Sequence, residues 1–451
     1  MRQFKLLSKA GMIGLLVVTL LIPLLMIQGA VSERQGFRDG VIQDIARSAA
    51  ESQQIIGPIL VVPYREKIEI TSKDNNTGRA TTEIRYEDRT VSFLPDRLEI
   101  GNSITTEERY RGIHKALLYT TNMSVKGAFA LPDGLGLGEA HKRGLIEWKP
   151  AYLVIGVHDI RGIKTHPRLT WQNQQKPFEP GTNDSVTKNG VHANIGIISP
   201  QAQTFDFAFD LLLQGMERLE ILPIGKDTTV TMQSSWPHPS FIGRHLPERR
   251  RVTEQGFDAA WHTSYFSTNM EQLFAACAHR ECPSLHAHTL GVSFIQPVDV
   301  YQQAERAVKY GILFIGLTFI AFFLFELFKR LAIHPVQYGF VGAALCIFYL
   351  LLLSLSEHLS FGLSYLIAGG ACVTLLGVYT TYILKSIVRS AGFTGMMGAL
   401  YGVLYILLRQ EDYALLMGSL LLFTILAFVM LITRNIDWYD IGAPLEPINT
   451  R

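Results

Sequence analysis

The sequence predicts a multi-pass α-helical membrane protein with six transmembrane helices and a large, mostly antiparallel β domain inserted between helices 1 and 2. Three observations lead there. First, 48% of the 451 residues are hydrophobic and only 18% are charged, and the apolar residues are gathered into blocks. Second, uncharged runs cover Ala10–Ser32, Tyr310–Phe325, Val336–Ser356, Leu359–Leu384, Ala391–Leu408 and Tyr413–Thr433, and most reach the roughly 20 residues that cross about 30 Å of hydrocarbon. Third, residues 33–305 are charged throughout and rich in turn formers, long enough for one or two soluble domains.

The elements follow in chain order. Residues 1–9 form an N-terminal tail carrying Arg2, Lys5 and Lys9, and the first span occupies 10–32. That run exceeds the 7 to 15 apolar residues of a signal-peptide core, which favours an uncleaved anchor, although Ala30 and Ser32 offer small residues for cleavage. Val41, Ile42, Ile45 and Ala49 recur at helical spacing, so a short amphipathic helix leads out of the span. In "TFDFAFDLL", Phe205, Phe207, Phe209 and Leu211 alternate with Asp206 and Asp210, the pattern of a strand with one buried face. After a turn at Gly215, "RLEILPIGKDTTVTM" supplies further strands, and "EKIEITSKDNNTGRATTEIRYEDRTVSFL" reads as a hairpin around Asn75, Asn76 and Gly78. The remaining spans are expected at about 310–328, 336–356, 359–384, 391–408 and 413–433, with Glu326 near the head groups, and 435–451 form the C-terminal tail. No internal repeat is evident.

Orientation comes from the basic residues of the short connections. With the N-terminus inside, Lys329, Arg330, Lys385, Arg389 and Arg434 all lie on the cytoplasmic side, and residues 33–305 lie outside. The opposite loops carry Arg409 alone among their Lys and Arg. Those loops hold Glu357 and His358, and Arg409, Glu411 and Asp412. The five form a candidate polar cluster at the outer membrane edge, or else each is a solvated residue at a helix-ending turn.

Other chemistry-bearing residues are few. Trp236, His238 and Phe241 surround Pro237 and Pro239 in a candidate binding loop, whose plainer reading is a rigid loop packed on the β domain. Cys346 and Cys372 fall in spans and read as packing residues. Cys277 and Cys282 are a disulfide candidate in an oxidising compartment; free thiols remain an alternative, and so does a zinc site with His279, His286 and His288, though the spacing fits no familiar zinc pattern. "GLGLGEA" at 134–140 lacks the ending of a phosphate loop, and neither H-E-x-x-H nor G-x-S-x-G occurs. No cofactor or metal is implied. The net charge of +2 gives no hint of nucleic acid, and no basic run stands out.

"IIGPILVVPY" at 55–64, "SWPHPSF" at 235–241, "FIQPVDVY" at 294–301, "AIHPVQYGFVGAAL" at 332–345, "LLLLSLSEH" at 350–358, "EDYALLMGS" at 411–419 and "NIDWY" at 435–439 resemble the CreD family of bacterial inner-membrane proteins, over nearly the whole chain. The resemblance implies an envelope-integrity protein, linked to colicin tolerance and to control by a two-component system, with no established enzymatic activity and no catalytic residues to transfer. It places residues 33–305 in the periplasm. The expected function is then a non-enzymatic protein whose periplasmic β domain contacts an envelope protein or lipid, the lipid bilayer being the other partner. A transporter or flippase for a lipid or small amphiphile is the alternative; it would need polar groups facing a cavity within the spans, and paired broken helices are not evident. A membrane-edge hydrolase built on His238 or on Glu357 and His358 is a third.

Overall fold

Strand alternation and unbroken apolar runs cannot share one core, and the chain divides into two units, Gly40–Pro297 and the combined segments Met1–Asp39 and Val298–Arg451. The computed structural model describes residues 2–73, 80–182, 187, 189–277, 285, 287–294, 300–329, 333–409 and 414–434.

The first unit is built on two sheets. One runs Pro239–Gly243, Leu290–Phe294, Arg218–Leu222, Gln53–Lys73, Ala151–Val157, Gly190–Gly196 and Glu179–Pro180, with Ala80–Phe93 and Ile146–Trp148 also paired to Gln53–Lys73. The other runs Arg249–Thr253, Gly256–Ser264, Asp227–Ser234, Arg97–Arg111, His114–Leu131, Gln203–Met216, Arg168–Trp171 and Gln174–Pro177. The sheets are mixed. Gln53–Lys73 lies parallel to Arg218–Leu222, and Arg97–Arg111 lies parallel to Asp227–Ser234, while the other pairings are antiparallel. The hairpin of Gln53–Lys73 and Ala80–Phe93 is in register to Lys73 opposite Ala80; its turn at Asn75, Asn76 and Gly78 lies outside the described residues.

Alternation decides what is buried. Phe205, Phe207, Phe209 and Leu211 face the core and Asp206 and Asp210 face out, with the Phe207 ring tilted against Phe129 at 5.0 Å and Phe205 stacked on Trp171 at 5.1 Å. The turn expected at Gly215 is absent, because Gly215 lies inside strand Gln203–Met216 and the reversal falls at Glu217, with φ 60°. The glycine serves close approach instead: a Cβ there would sit 2.4 Å from the Tyr119 hydroxyl. Beside it, Gln53 ties the two sheets together. Its buried amide donates to the carbonyls of Asp159 and Gln214, at 3.0 Å each, and accepts from the Asp159 N–H at 3.2 Å.

The second unit is helical. Helix α1 runs Arg2–Ser48 with Pro23 inside, so the expected span and the expected amphipathic helix are one element without a break. Residues 33–39, assigned above to the extramembrane stretch, continue this helix; the register they preserve aims Arg34 and Arg38 at partners described below. The last turns of α1 belong to the β unit, where Val41, Ile42, Ile45 and Ala49 pack with Ala116, Leu118 and Met216.

Helices α2 (Val300–Lys309) and α3 (Gly311–Lys329) follow, bent by 42° between Val300–Lys309 and Gly311–Leu324. This is a broken helix that the sequence did not reveal. Helices α4 (Pro335–Ser356), α5 (Phe361–Leu384), α6 (Ile387–Arg409) and α7 (Ala414–Thr433) complete the unit. Among the described residues, Gly11–Ser48 of α1, α4, α5 and α6 are long and apolar enough to cross a membrane; the bent pair raises this to five, and Leu416–Leu431 in α7 is a shorter apolar helix. Edge-to-face aromatic pairs fill the bundle, among them Phe322 with Phe393 at 4.4 Å and Phe348 with Tyr401 at 4.8 Å, a geometry that suits ring quadrupoles. Gly342 lets α4 approach α1, since a Cβ there would lie 2.2 Å from Leu20, the usual role of small residues between membrane helices.

The Gln53 network yields a stability test. Gln53→Leu leaves the Asp159 N–H without its acceptor and takes a donor from the Gln214 carbonyl, while the Asp159 carbonyl keeps the Gly162 N–H at 3.1 Å, so it is expected to destabilise the protein by about 2 kcal/mol. Thermal unfolding of the purified full-length protein in detergent measures this.

Candidate functional site

The candidate cluster is assembled from α4 outwards. Glu357 is the residue that follows the last turn of α4, and the N–H groups of His358 and Leu359 donate to the Leu355 carbonyl at 3.1 and 2.9 Å, closing a tight turn before α5. The turn points its two polar side chains differently. His358 is exposed, whereas the Glu357 carboxylate is only 10% exposed. It accepts a hydrogen bond from the Tyr301 hydroxyl of α2 at 3.3 Å and lies 3.6 Å from Nε of Arg34 on α1. One turn beyond Arg34, the Arg38 guanidinium stands 5.5 Å from the centre of the Tyr301 ring, within cation–π range. Val31, Tyr301, Ala304 and Leu353 pack as a small cluster of their own, which places α1 and α2 against the end of α4.

Of the five candidate residues, the described ones do not meet around Glu357. His358 turns to solvent, and Arg409, the exposed last residue of α6, makes no ion pair with Glu357 among the described residues. Glu411 and Asp412 lie outside the described residues. Arg34, Arg38 and Tyr301 were missed because sequence separation hides them; the one available signal was the helical spacing of Arg34 and Arg38.

A second polar knot lies at the other end of α1. Lys9 pairs with Glu326 of α3 and donates to the Ile333 carbonyl at 2.6 Å, and the Tyr338 hydroxyl donates to the same carboxylate at 3.0 Å. The 25 residues from Lys9 to Arg34 rise about 37 Å along a helix. Between these ends, α5 and α6 meet through neutral groups: Tyr365 donates to the Tyr401 carbonyl at 2.7 Å, and Ser390 donates to the Gly377 carbonyl at 2.8 Å.

In the β unit, the aromatic residues of the candidate binding loop are spent on packing. Trp236 donates from Nε1 to the His238 carbonyl at 3.1 Å, and Phe241 sits 5.8 Å from both Phe257 and Trp261; only His238 of the three is exposed. Cys277 is buried and disulfide-bonded. Cys282, its expected partner, lies outside the described residues, as do His279 and His286. His288 is described, and its ring meets the Arg244 guanidinium. Among the described residues no group of three or more His, Cys, Asp or Glu side chains could hold a metal. "GLGLGEA" forms a short turn and the helix Gly138–Lys142, with Gly134 donating to the Pro200 carbonyl at 2.7 Å.

A basic run does stand out in space. Arg249, Arg250 and Arg251 are consecutive on the edge strand Arg249–Thr253. Near it, burial and then the neighbouring His288 and Arg244 push the His245 pKa below the ordinary histidine value, and its Nε2 is buried with no hydrogen-bond partner among the described residues.

A family model described as Inner membrane protein CreD matches residues 5–439. The chain is similar to Inner membrane protein CreD of Escherichia coli (strain K12), 35% identical over 428 residues that cover 95% of this chain and 92% of that protein. Crystal structures of the M1 zinc metallopeptidase from Deinococcus radiodurans, wild type and a mutant, match 37% of this chain and 38% of theirs at 9% and 10% identity. With TM-scores of 0.18, they carry no argument about this protein.

Two outcomes are expected from these sites. Glu357→Ala removes the acceptor of the Tyr301 hydroxyl and the carboxylate beside Arg34 and lowers the thermal unfolding temperature of the full-length protein in detergent, whereas His358→Ala, at an exposed turn, changes it little. Equal effects would remove the distinction drawn between the two side chains. For His245, the folded-state pKa lies below the unfolded value of about 6.5; its contribution to stability is therefore complete above that value and is lost as pH falls through the folded pKa. The thermal unfolding temperature should fall on acidification below pH about 6.5, and His245→Gln should reduce that dependence.

Proposed function

The chain belongs to the CreD family of inner membrane proteins, and on that premise we propose that it supports cell-envelope integrity without being an enzyme, holding its β unit in the periplasm to contact an envelope protein or lipid. The observation that carries this reading is the insertion of a unit as large as Gly40–Pro297 between the first apolar helix and the others. So much folded surface, built on two sheets, exceeds what anchoring requires. Colicin tolerance and two-component control are the family features expected to accompany it.

Six spans complete the proposal, α2 and α3 forming one bent crossing and α7 the last. Arg2, Lys5 and Lys9 then start α1 on the cytoplasmic side, and alternation brings Lys329, Lys385, Arg389 and Arg434 to the same side, in keeping with the bias of positive charge. A transporter is less well supported, because ionised side chains cluster near the ends of the helices and the groups that join α5 to α6 are neutral.

Reporter fusions test the topology: alkaline phosphatase fused after Lys385 is expected to be inactive, and activity there would overturn the six-span arrangement. For function, deletion of the gene should raise outer-envelope permeability to a detergent or a dye, with recovery on re-expression of the wild-type chain. Unchanged permeability in the deleted strain would refute the envelope role.

A further inference from the structure

An open sheet edge normally exposes a protein to unwanted pairing, and chains protect such edges with charge. Strand Arg249–Thr253 ends the eight-stranded sheet, pairs on one side with Gly256–Ser264, and is exposed at all five residues. Its shape is fixed at both ends. Thr253 Oγ1 donates to the Gly256 carbonyl at 3.1 Å and accepts from the Gln255 N–H at 3.3 Å, Glu248 N–H donates to the Ala260 carbonyl at 2.9 Å, and Trp261 Nε1 donates to the His245 carbonyl at 3.0 Å. Gly256, at φ 136°, makes the tight return possible, since a Cβ there would lie 2.0 Å from the Ser234 carbonyl oxygen. A strand already held in place forfeits little conformational freedom when another pairs with it.

Charge then selects the occupant. Arg251 bonds its cross-strand neighbour Asp258 at 2.9 Å, while Arg249 and Arg250 make no ion pair among the described residues. Adjacent to them, Leu246 and Val252 are exposed apolar side chains, at 66% and 48%. A second copy of this edge would bring guanidiniums against guanidiniums, so self-pairing is opposed. A phosphate-rich polyanion would meet the arginines but leave the backbone N–H and C=O groups and the apolar pair unused. An extended acidic polypeptide satisfies all three demands: carboxylates on both of its faces meet the planar guanidiniums of Arg249 and Arg250, which alternation puts on opposite faces, its backbone bonds to the edge, and an apolar residue lies on Val252.

We propose that the edge Arg249–Thr253 is a docking strand for an acidic, extended segment of a partner protein, which pairs with it as an additional strand. The proposal rests on the reading that the β unit contacts an envelope partner, and it names the surface and the chemistry of that contact.

The test uses the purified full-length protein in a zwitterionic detergent and a fluorescent, end-capped peptide of repeated Glu-Glu-Val-Val, which puts a glutamate and a valine on each face, followed by anisotropy. Saturable binding is expected, weakened by salt and reduced at least tenfold by the double change Arg249→Glu and Arg250→Glu, while the same peptide methylated on alternate backbone nitrogens, or one of repeated Lys-Lys-Val-Val, fails to bind. Val252→Pro, which alters the strand without removing charge, should also weaken it. Absence of binding by the glutamate peptide would overturn the proposal. So would equal binding by the methylated peptide, or displacement by polyphosphate that survives the double change. None of these outcomes depends on envelope permeability, so failure of the docking strand is distinguishable from failure of the envelope role.

Discussion

A helix in hydrocarbon can carry ionised groups cheaply only near its ends, and there only if they find partners. Helix α1 meets this constraint at both limits of its apolar run, with Lys9 on Glu326 just before it and Arg34 on Glu357 just past Ser32. The two contacts lie about as far apart as a bilayer with its interfaces is thick, and between them α1 presents apolar residues to the bundle. Each contact also recruits a tyrosine from another helix, Tyr338 below and Tyr301 above. The order of the bundle follows from these pairings. Helices α3 and α4 are gathered at one end of α1, α2 and α4 at the other, and the close passage of Leu20 over Gly342 fixes the middle.

The β unit obeys a different rule. Some of its strands bury one face and others, such as Ala151–Val157, are buried almost throughout, so polar groups must be satisfied where the two sheets meet, and Gln53 does this with a single side chain reaching both. Tyr119 acts nearby in the same sense, its hydroxyl donating to the Arg218 carbonyl at 2.6 Å. Burial then raises the Tyr119 pKa well above the ordinary tyrosine value, which keeps the group a neutral donor throughout the physiological range.

Much of this was legible in the sequence because it is local. The apolar blocks, the alternation from Phe205 to Leu211 and the helical spacing from Val41 to Ala49 are all periodicities within about a dozen residues. Glu357 was recognisable as a polar residue ending a helix. Its partners were not, because nothing in the local pattern distinguishes Arg34 or Tyr301 from any solvated arginine or tyrosine. The same limit explains Gly215, whose role depends on a tyrosine in another strand, and the two parallel pairings, which join segments more than a hundred residues apart. The arginine run escaped notice for another reason. Three charges are unremarkable in a surface loop and acquire meaning only when the topology puts them on an open edge.

The strand order of the nine-stranded sheet has a consequence for synthesis. Gln53–Lys73 is made early and can form its hairpin with Ala80–Phe93 at once, but its parallel neighbour Arg218–Leu222 comes far later, and that neighbour is itself flanked by Leu290–Phe294. The last strand also holds Pro239–Gly243. The sheet therefore cannot close until residue 294 has been made, and until Arg218–Leu222 is made the segment 53–56 lacks its parallel neighbour. Long-range pairing of this kind folds slowly and leaves apolar surface open for a time, so the nascent chain passes through a vulnerable interval whose length is set by the rate of synthesis.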